Sequence, residues 1–318
     1  MKIKNTSTTE ATVVPFAMYD AFTEIPYSGS QAAIVLHASG ISPTNRARIA
    51  REIGMPATAF VNTISGNRID VQFFSTVMEL PMCGHGTICL ITWLVELGLL
   101  PCDGDGWQIT ILTLPKGEAK AEYRRTLENR IEVMLDVAVA QFAPTCFNLE
   151  ELIQILGVGL SEISDKLPLE VATADFTHLC LPMRDLDAMG GLQPEFTALA
   201  KFCVSNGLST VAAFSTEVVD GTCNLHVRDF CPAVGVDESA AAGTTNAALS
   251  VYLLRNGRVQ PDDDGNVQVR AEQGIELGRP SNVTTRIKIK DEHITRLQVG
   301  GVASQIIEGV LNVNLGAS

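Results

Sequence analysis

Positive charge is the scarcer sign in this 318-residue chain: 23 Lys and Arg stand against 36 Asp and Glu, for a net charge of −13. Such a surface repels phosphate backbones and anionic lipid, which excludes nucleic-acid and peripheral-membrane roles. It does not exclude an anionic substrate, because the field inside one pocket can oppose the global one. Long apolar runs are missing too. The most apolar stretch, Ile88–Leu100, is interrupted by Glu96 and Gly98, far short of the ~20 residues that a bilayer span needs. The opening MKIKNTSTTEATVV lacks the apolar core of a secretory signal, so a cytoplasmic protein is expected, with residues 1–11 as a flexible lead-in. No Cys-x-x-Cys pair occurs, and eight cysteines are too sparse for a disulfide scaffold. Cys223, His226 and Cys231 share one strand-like segment, TCNLHVRDF, without the further ligand that tetrahedral zinc requires, so no metal site is expected.

What is present describes a globular chain with 46% hydrophobic residues, long enough for two domains or one large one. RIDVQFFS (68–75), RIEVMLDVAVA (130–140), NVQVRAEQ (266–273) and TRIKIKDEHITRLQVGG (285–301) read as strand-like. Helices are fewer. Ser42-Pro43 before TNRARIAREIG supplies a cap, a first-turn proline and Gly54 as a stop, and 149–157 and 194–207 look similar. Many strands with segregated helices predict an α+β architecture.

One internal echo is more informative. GHGTICLITWLVELG (84–98) and GTTNAALSVYLLRNG (243–257) are both Gly-to-Gly segments, and their starts lie 159 residues apart, half the chain. Each is apolar on nearly every face, as in a helix buried on all sides. Each half of the chain is therefore expected to wrap a sheet around one central helix. A buried helix start is an anion site without Lys or Arg, because its first amides and its dipole face the ligand. Cys83, in LPMCGHGT, stands at the first such start, where a thiolate is stabilised, and His85 can share the pocket as acid or base. The second start, DESAAAGTTN (237–246), brings hydroxyls and amides. Two such starts facing one cleft would clamp a small carboxylate and leave its α-carbon open to proton transfer.

These residues, with DAFTEIPYSGSQAAIVL (20–36), IAREIGMPATAFV (49–61), RDFCPAVGVDESAAAGTTNAAL (228–249) and AEQGIELGRPS (271–281), follow one another in register. The chain resembles the phenazine-biosynthesis (PhzF-like) isomerase family, within the diaminopimelate epimerase and proline racemase superfamily. The resemblance implies a fold of two pseudo-symmetric halves without cofactor or metal, usually dimeric, doing acid/base chemistry on a small acid in the cleft. Departures accompany it. The position of the family's acid/base Glu is Ala57, that of its loop Asp is Ser239, and its Ser after the loop Gly is Thr244. The racemases' first cysteine matches Cys83, while their second falls among Ala240–Ala242, and Ser30-Gln31 replaces the usual Asn-Pro.

The expected architecture is thus α+β, each half a barrel-like, mostly antiparallel sheet around a buried helix. Residues 12–128 form the first half, with a strand at about 300–315 returning to it, and 129–299 form the second. The expected function is a cofactor-independent isomerase or epimerase, a one-base variant because of Ala57 and Ser239. The alternatives are a hydroxyproline-dehydratase-like lyase using Cys83 and a non-catalytic relative that binds a metabolite or a protein. Cys83, His85 and Ser239 are the candidate catalytic residues; Gly84, Gly86, Thr87, Gly243, Thr244 and Thr245 are the candidate substrate-binding ones. The partners expected are a small carboxylate and a second copy of the chain.

Overall fold

The computed structural model describes residues 12–104 and 106–313. The lead-in 1–11, residue 105 of the turn after Cys102 and the last positions of 300–315 lie outside the described residues. Up to residue 136 the chain forms β1 (Thr12–Ala21), β2 (Ser30–Val35), α1 (Pro43–Ile53), β3 (Ala57–Ser65), β4 (Arg68–Phe74), β5 (Glu79–Leu80), α2 (Gly84–Glu96), β6 (Gln108–Leu114), β7 (Gly117–Arg125) and β8 (Ile131–Asp136). There follow β9 (Gln141–Pro144), α3 (Leu149–Leu156), β10 (Glu170–Thr173), β11 (Thr177–Pro182), α4 (Leu186–Gly191) and α5 (Phe196–Ser205). The rest is β12 (Thr210–Ser215), β13 (Leu225–Cys231), β14 (Val236–Ser239), α6 (Gly243–Arg255), β15 (Asn266–Gln273), β16 (Ser281–Lys290), β17 (His293–Gly301) and β18 (Ala303–Val313).

The strand pairing runs twice. β1–β2, β3–β4, β4–β5, β6–β7 and β7–β8 are antiparallel, whereas β2–β3 and β4–β6 are parallel. The same order returns later: β10–β11, β12–β13, β13–β14, β15–β16 and β16–β17 are antiparallel, and β11–β12 and β13–β15 are parallel. β18 returns to β1, and β8 pairs with β17, which joins the two sets into one hydrogen-bonded sheet.

Each set closes on one helix. α2 and α6 are both 13 residues long, and every residue of Gly86–Val95 and of Thr245–Leu253 is buried. Both end ahead of a glycine in the left-handed region, Gly98 (φ 69) and Gly257 (φ 66), where a side chain would be strained. Side chains such as Leu90, Trp93, Leu249 and Leu253 give these helices their hold, each fully buried aliphatic contributing roughly 1.5–3 kcal/mol.

Strand alternation explains the outer helices. In β11 and β12, Cys180, Ala212 and Phe214 join the core around α6, while Leu179, Leu181, Val211 and Ala213 point the other way. That second face is covered by Leu152 and Leu156 of α3, Met189 of α4 and Leu199 and Phe202 of α5. One expectation changes: 285–301 is two strands, β16 and β17, not one run. Asp291 and Glu292, both at positive φ (51 and 63), make the two-residue turn between them. Such turns normally carry Asn-Gly or Asp-Gly, and Asp-Glu gives no such signal. The apolar run 130–140 also breaks, into β8 and the approach to β9.

Candidate functional site

The outer helices all begin with a side-chain cap: Ser42 for α1, Asn148 for α3, Asp185 for α4 and Glu195 for α5. The two central helices do not. α2 starts from Cys83 (φ −142, ψ 112) and α6 from Ala242 (φ −129, ψ 110), and neither residue makes a side-chain cap bond. The first turns of both helices therefore begin without a side-chain cap, at the positive ends of two dipoles. Gly84, His85, Gly243 and Thr244 are half-buried, and the turn that follows each is fully buried.

Sheet pairing brings the tips together. A Cβ on Gly84 would lie 3.7 Å from Leu135 Cδ1, and one on Gly243 would lie 3.2 Å from Val299 Cγ1. Leu135 and Val299 are direct partners in the β8–β17 pair, about 5 Å apart at Cα. Behind α6, Gln273 fixes the approach: its Oε1 accepts from the Ala242 amide (3.3 Å) and Asn246 Nδ2 (2.7 Å), and its Nε2 donates to Ser239 O (2.7 Å).

At the α2 tip, Cys83 Sγ lies 3.5 Å from His85 Nδ1 and 3.6 Å from Nε2. Gly86 makes room for it: a Cβ there would sit 3.0 Å from Phe73 Cε1 and 3.2 Å from the sulfur. The stabilised thiolate expected from sequence is not the resting state. Burial pushes the Cys83 thiol up to about 12, outweighing the Gly86 amide, which favours the anion. Burial also pulls His85 down to about 4. The pair therefore rests as a neutral thiol beside a neutral imidazole.

The α6 tip is the pseudo-symmetric counterpart with different chemistry. Ala242 occupies the place of Cys83, so a methyl group stands where a second thiol would be. Thr245 takes the place of Gly86, and Asp229, which faces Ser239 as Phe73 faces Leu80, takes the place of Phe73. Thr245 Oγ1 donates to Asp229 Oδ2 (2.9 Å), while Asp229 Oδ1 is buried with no hydrogen-bond partner among the described residues. His178 Nδ1 lies 2.9 Å from Thr210 Oγ1 and 3.4 Å from Thr245 Oγ1. Burial raises Asp229 to about 6 despite Thr245, and lowers His178 to about 4.

Thr244 lines a small cavity beside this cluster. Thr87 turns its hydroxyl back onto Cys83 O (2.8 Å), so only its backbone faces the tip. Ser239 is half-buried at the end of β14, held through its own carbonyl. Sequence reasoning does not single out His178 or Asp229, because their partners come from β12, β13 and α6. Among the described residues no group of three His, Cys, Asp or Glu gathers as for a metal. His226 is engaged by Glu272 (2.7 Å) and Glu276 (2.8 Å), away from any ligand set with Cys223 and Cys231.

A family model described as phenazine biosynthesis-like protein matches residues 19–309. The chain belongs to that family. Members with curated names include an uncharacterised isomerase, YddE, of Escherichia coli K12, 27% identical over 293 residues, spanning 89% of this chain and 93% of the relative. The trans-2,3-dihydro-3-hydroxyanthranilate isomerase of Pseudomonas fluorescens is 27% identical over 290 residues, spanning 90% and 95%. The isomerase expectation agrees with these names. Among solved structures, a PhzF-family phenazine biosynthesis protein of Bacillus anthracis superposes with a TM-score of 0.84 at 23% identity, covering 95% of this chain and 100% of that one. A hydroxyproline epimerase of Agrobacterium vitis, with trans-4-hydroxy-L-proline bound, gives 0.57 at 12%, covering 96% and 94%. The family fold is thus the diaminopimelate epimerase-like α+β fold, as the paired helices and repeated sheet order indicate. No helix among the described residues is long and apolar enough to cross a membrane.

Proposed function

We propose that the chain is a cofactor-independent isomerase that moves a proton on a small carboxylate-bearing metabolite held between the starts of α2 and α6. The observation carrying this reading is that two uncapped helix starts rest on one cross-strand pair, Leu135 and Val299, and that one of them bears a thiol and an imidazole 3.5 Å apart. The substrate carboxylate takes the free amides of the two tips, and its α-carbon then lies beside Cys83 and His85. His85, neutral at rest, can accept the α-proton, and the Cys83 thiol can supply one. The amides and dipoles, already oriented, stabilise the negative charge that develops on the substrate.

Ala242 offers no donor or acceptor side chain where the second thiol of a racemase would stand. Proton removal and return on a single face, as in a suprafacial isomerisation, fits that asymmetry. It also favours, as the second reading, a dehydratase-like lyase in which Ser239 or Thr244 holds a leaving hydroxyl. Two copies of the chain are expected to associate, and sedimentation velocity would then show about twice the 34.1 kDa chain mass.

The test is α-hydrogen exchange in deuterium oxide, followed by NMR, over a panel of small 2-amino and 2-hydroxy acids. At least one compound should exchange with wild-type protein, and His85→Ala should slow that exchange by about 10²–10⁴. No exchange across the panel, or exchange indifferent to both Cys83→Ser and His85→Ala, would sink the reading.

A further inference from the structure

The turn that leads from β14 into α6 runs through three alanines, Ala240–Ala242, and has no polar side chain of its own to fasten it after Ser239. Neighbouring elements fasten it instead. Gln273, the last residue of β15 and fully buried, accepts from the Ala242 amide at Oε1 (3.3 Å) and donates from Nε2 to Ser239 O (2.7 Å). Ser281 Oγ, at the start of β16, donates to Ala240 O (2.9 Å). Asn246 Nδ2 donates to both Ala242 O (2.9 Å) and Gln273 Oε1 (2.7 Å). The end of β15 lies directly against the turn: a Cβ on Gly274 (φ 77) would sit 2.6 Å from Ala240 O.

The bond to Ala242 is the backward half of a capping box, in which a Glu or Gln at the third helical position normally returns to the amide of the cap residue. The third helical residue of α6 is Thr245, and its hydroxyl is turned to Asp229. The strand thus supplies the bond that the helix does not. Gln273 Oε1 faces two N–H donors and its Nε2 faces a carbonyl, so one orientation of the amide satisfies all three. The turn ahead of α2 is built otherwise, with Pro81 in the chain and Thr87 Oγ1 on Cys83 O (2.8 Å). The body of α6 does not depend on Gln273, because every residue of Thr245–Leu253 is buried and side chains such as Leu249 and Leu253 hold it by packing. Loss of the Gln273 bonds therefore frees the turn and the first residues of α6 and leaves the rest of the helix in place.

We propose that Gln273 is a positioning residue of the second helix start: through the Ala242 amide and the Ser239 carbonyl it holds Gly243 and Thr244 at the place beside Val299 where the substrate carboxylate is taken up. Gln273 itself is 0% exposed and touches no substrate. The inference rests on the functional reading above and names a residue outside the cleft on which the binding step of that reading depends.

The test is calorimetric titration with benzoate and with L-proline, at pH 5 and pH 8, of wild-type protein, Gln273→Met and Gln273→Glu. Each variant is read against wild-type protein at the same pH, because Asp229 beside Thr245 titrates at about 6, within that span. Gln273→Met fills the space without the bonds, and should weaken whichever probe wild-type protein binds by about tenfold at both pH values. In Gln273→Glu the new carboxyl, when protonated, accepts from Ala242 and Asn246 and donates to Ser239 O as the native amide does. Ionised, it opposes that carbonyl, and burial favours the neutral form. Its affinity should stand within about twofold of wild type at pH 5 and fall about tenfold below it at pH 8, a pH-dependent rescue that a general loss of packing would not give. Ser281→Ala, which removes one bond to the same turn, should weaken binding about two- to threefold, and it decides the matter if the Gln273 variants do not fold. Affinity that survives Gln273→Met, a Gln273→Glu deficit equal at both pH values, or, where neither folds, unchanged binding in Ser281→Ala overturns the inference and leaves the functional reading standing. Binding of neither probe by wild-type protein overturns both.

Discussion

Leu135 and Val299 face each other across the β8–β17 pair, and each packs under the first residue of a central helix, Leu135 under Gly84 and Val299 under Gly243. This one pair is where the two repeated strand sets meet. It places two helix starts at one spot, with the thiol of Cys83 on one side and the methyl group of Ala242 on the other.

The first prediction concerns the Cys83 thiol. Its folded value near 12 means that almost none is thiolate at neutral pH. Alkylation of Cys83 by iodoacetamide should be slower at pH 7.5 than that of a free thiol (pKa about 8.5) and should still be rising beyond pH 9. A plateau below pH 8 would show an activated thiolate. His85, lowered to about 4, stays a neutral base as pH falls from 8 to 5, so proton exchange should be flat over that span and decline only as pH approaches 4.

A second prediction follows from the clamp between the ends of the chain. Arg279 Nη2 bonds Asp20 Oδ1 (2.8 Å) and Ser28 O (2.9 Å), and its Nε donates to Gly29 O (2.9 Å), holding the β1–β2 loop against the turn after β15. Asp20 is buried, and burial raises its pKa in spite of Arg279. Removing the cation by Arg279→Ala leaves that carboxylate unpaired, a loss of about 3–5 kcal/mol for a fully buried pair and less here because Arg279 is a quarter exposed. For an acid with a raised folded pKa, stability is lost as pH rises. The deficit of the variant should therefore be larger at pH 7.5 than at pH 5, as measured by urea unfolding.

The third prediction lies in the second half. His226 sits between Glu272 and Glu276, and although burial pulls its pKa down, Glu276 and Glu272 together raise it. The stabilisation from charged His226 is fully present below the unfolded value of about 6.5 and is lost as pH rises through the higher folded value. Melting temperature should fall over that window in wild-type protein. The fall should be absent in His226→Gln.

Much of this was legible in the sequence because it is local. Ser42, Pro43 and Gly54 mark α1, and the all-round apolar character of 84–98 and 243–257 identifies the two central helices with their glycine stops. Cys83 and His85 stand two residues apart, so their contact is nearly written in the chain. What was not legible depends on register. His178, Thr210, Asp229 and Thr245 come from four elements, and only the β11–β12 and β12–β13 pairings bring them together. At Cys83 the helix start is visible in sequence, but the burial that pushes its thiol up is not.

The central claim, that one small carboxylate bridges the two helix starts, is tested most directly by amide NMR of ¹⁵N-labelled protein titrated with L-proline and with benzoate. The account predicts that the amides of Gly84 and His85 and those of Gly243 and Thr244 shift together, with one shared dissociation constant. Shifts confined to one helix start, or a bound carboxylate that leaves all four amides unmoved, would contradict it.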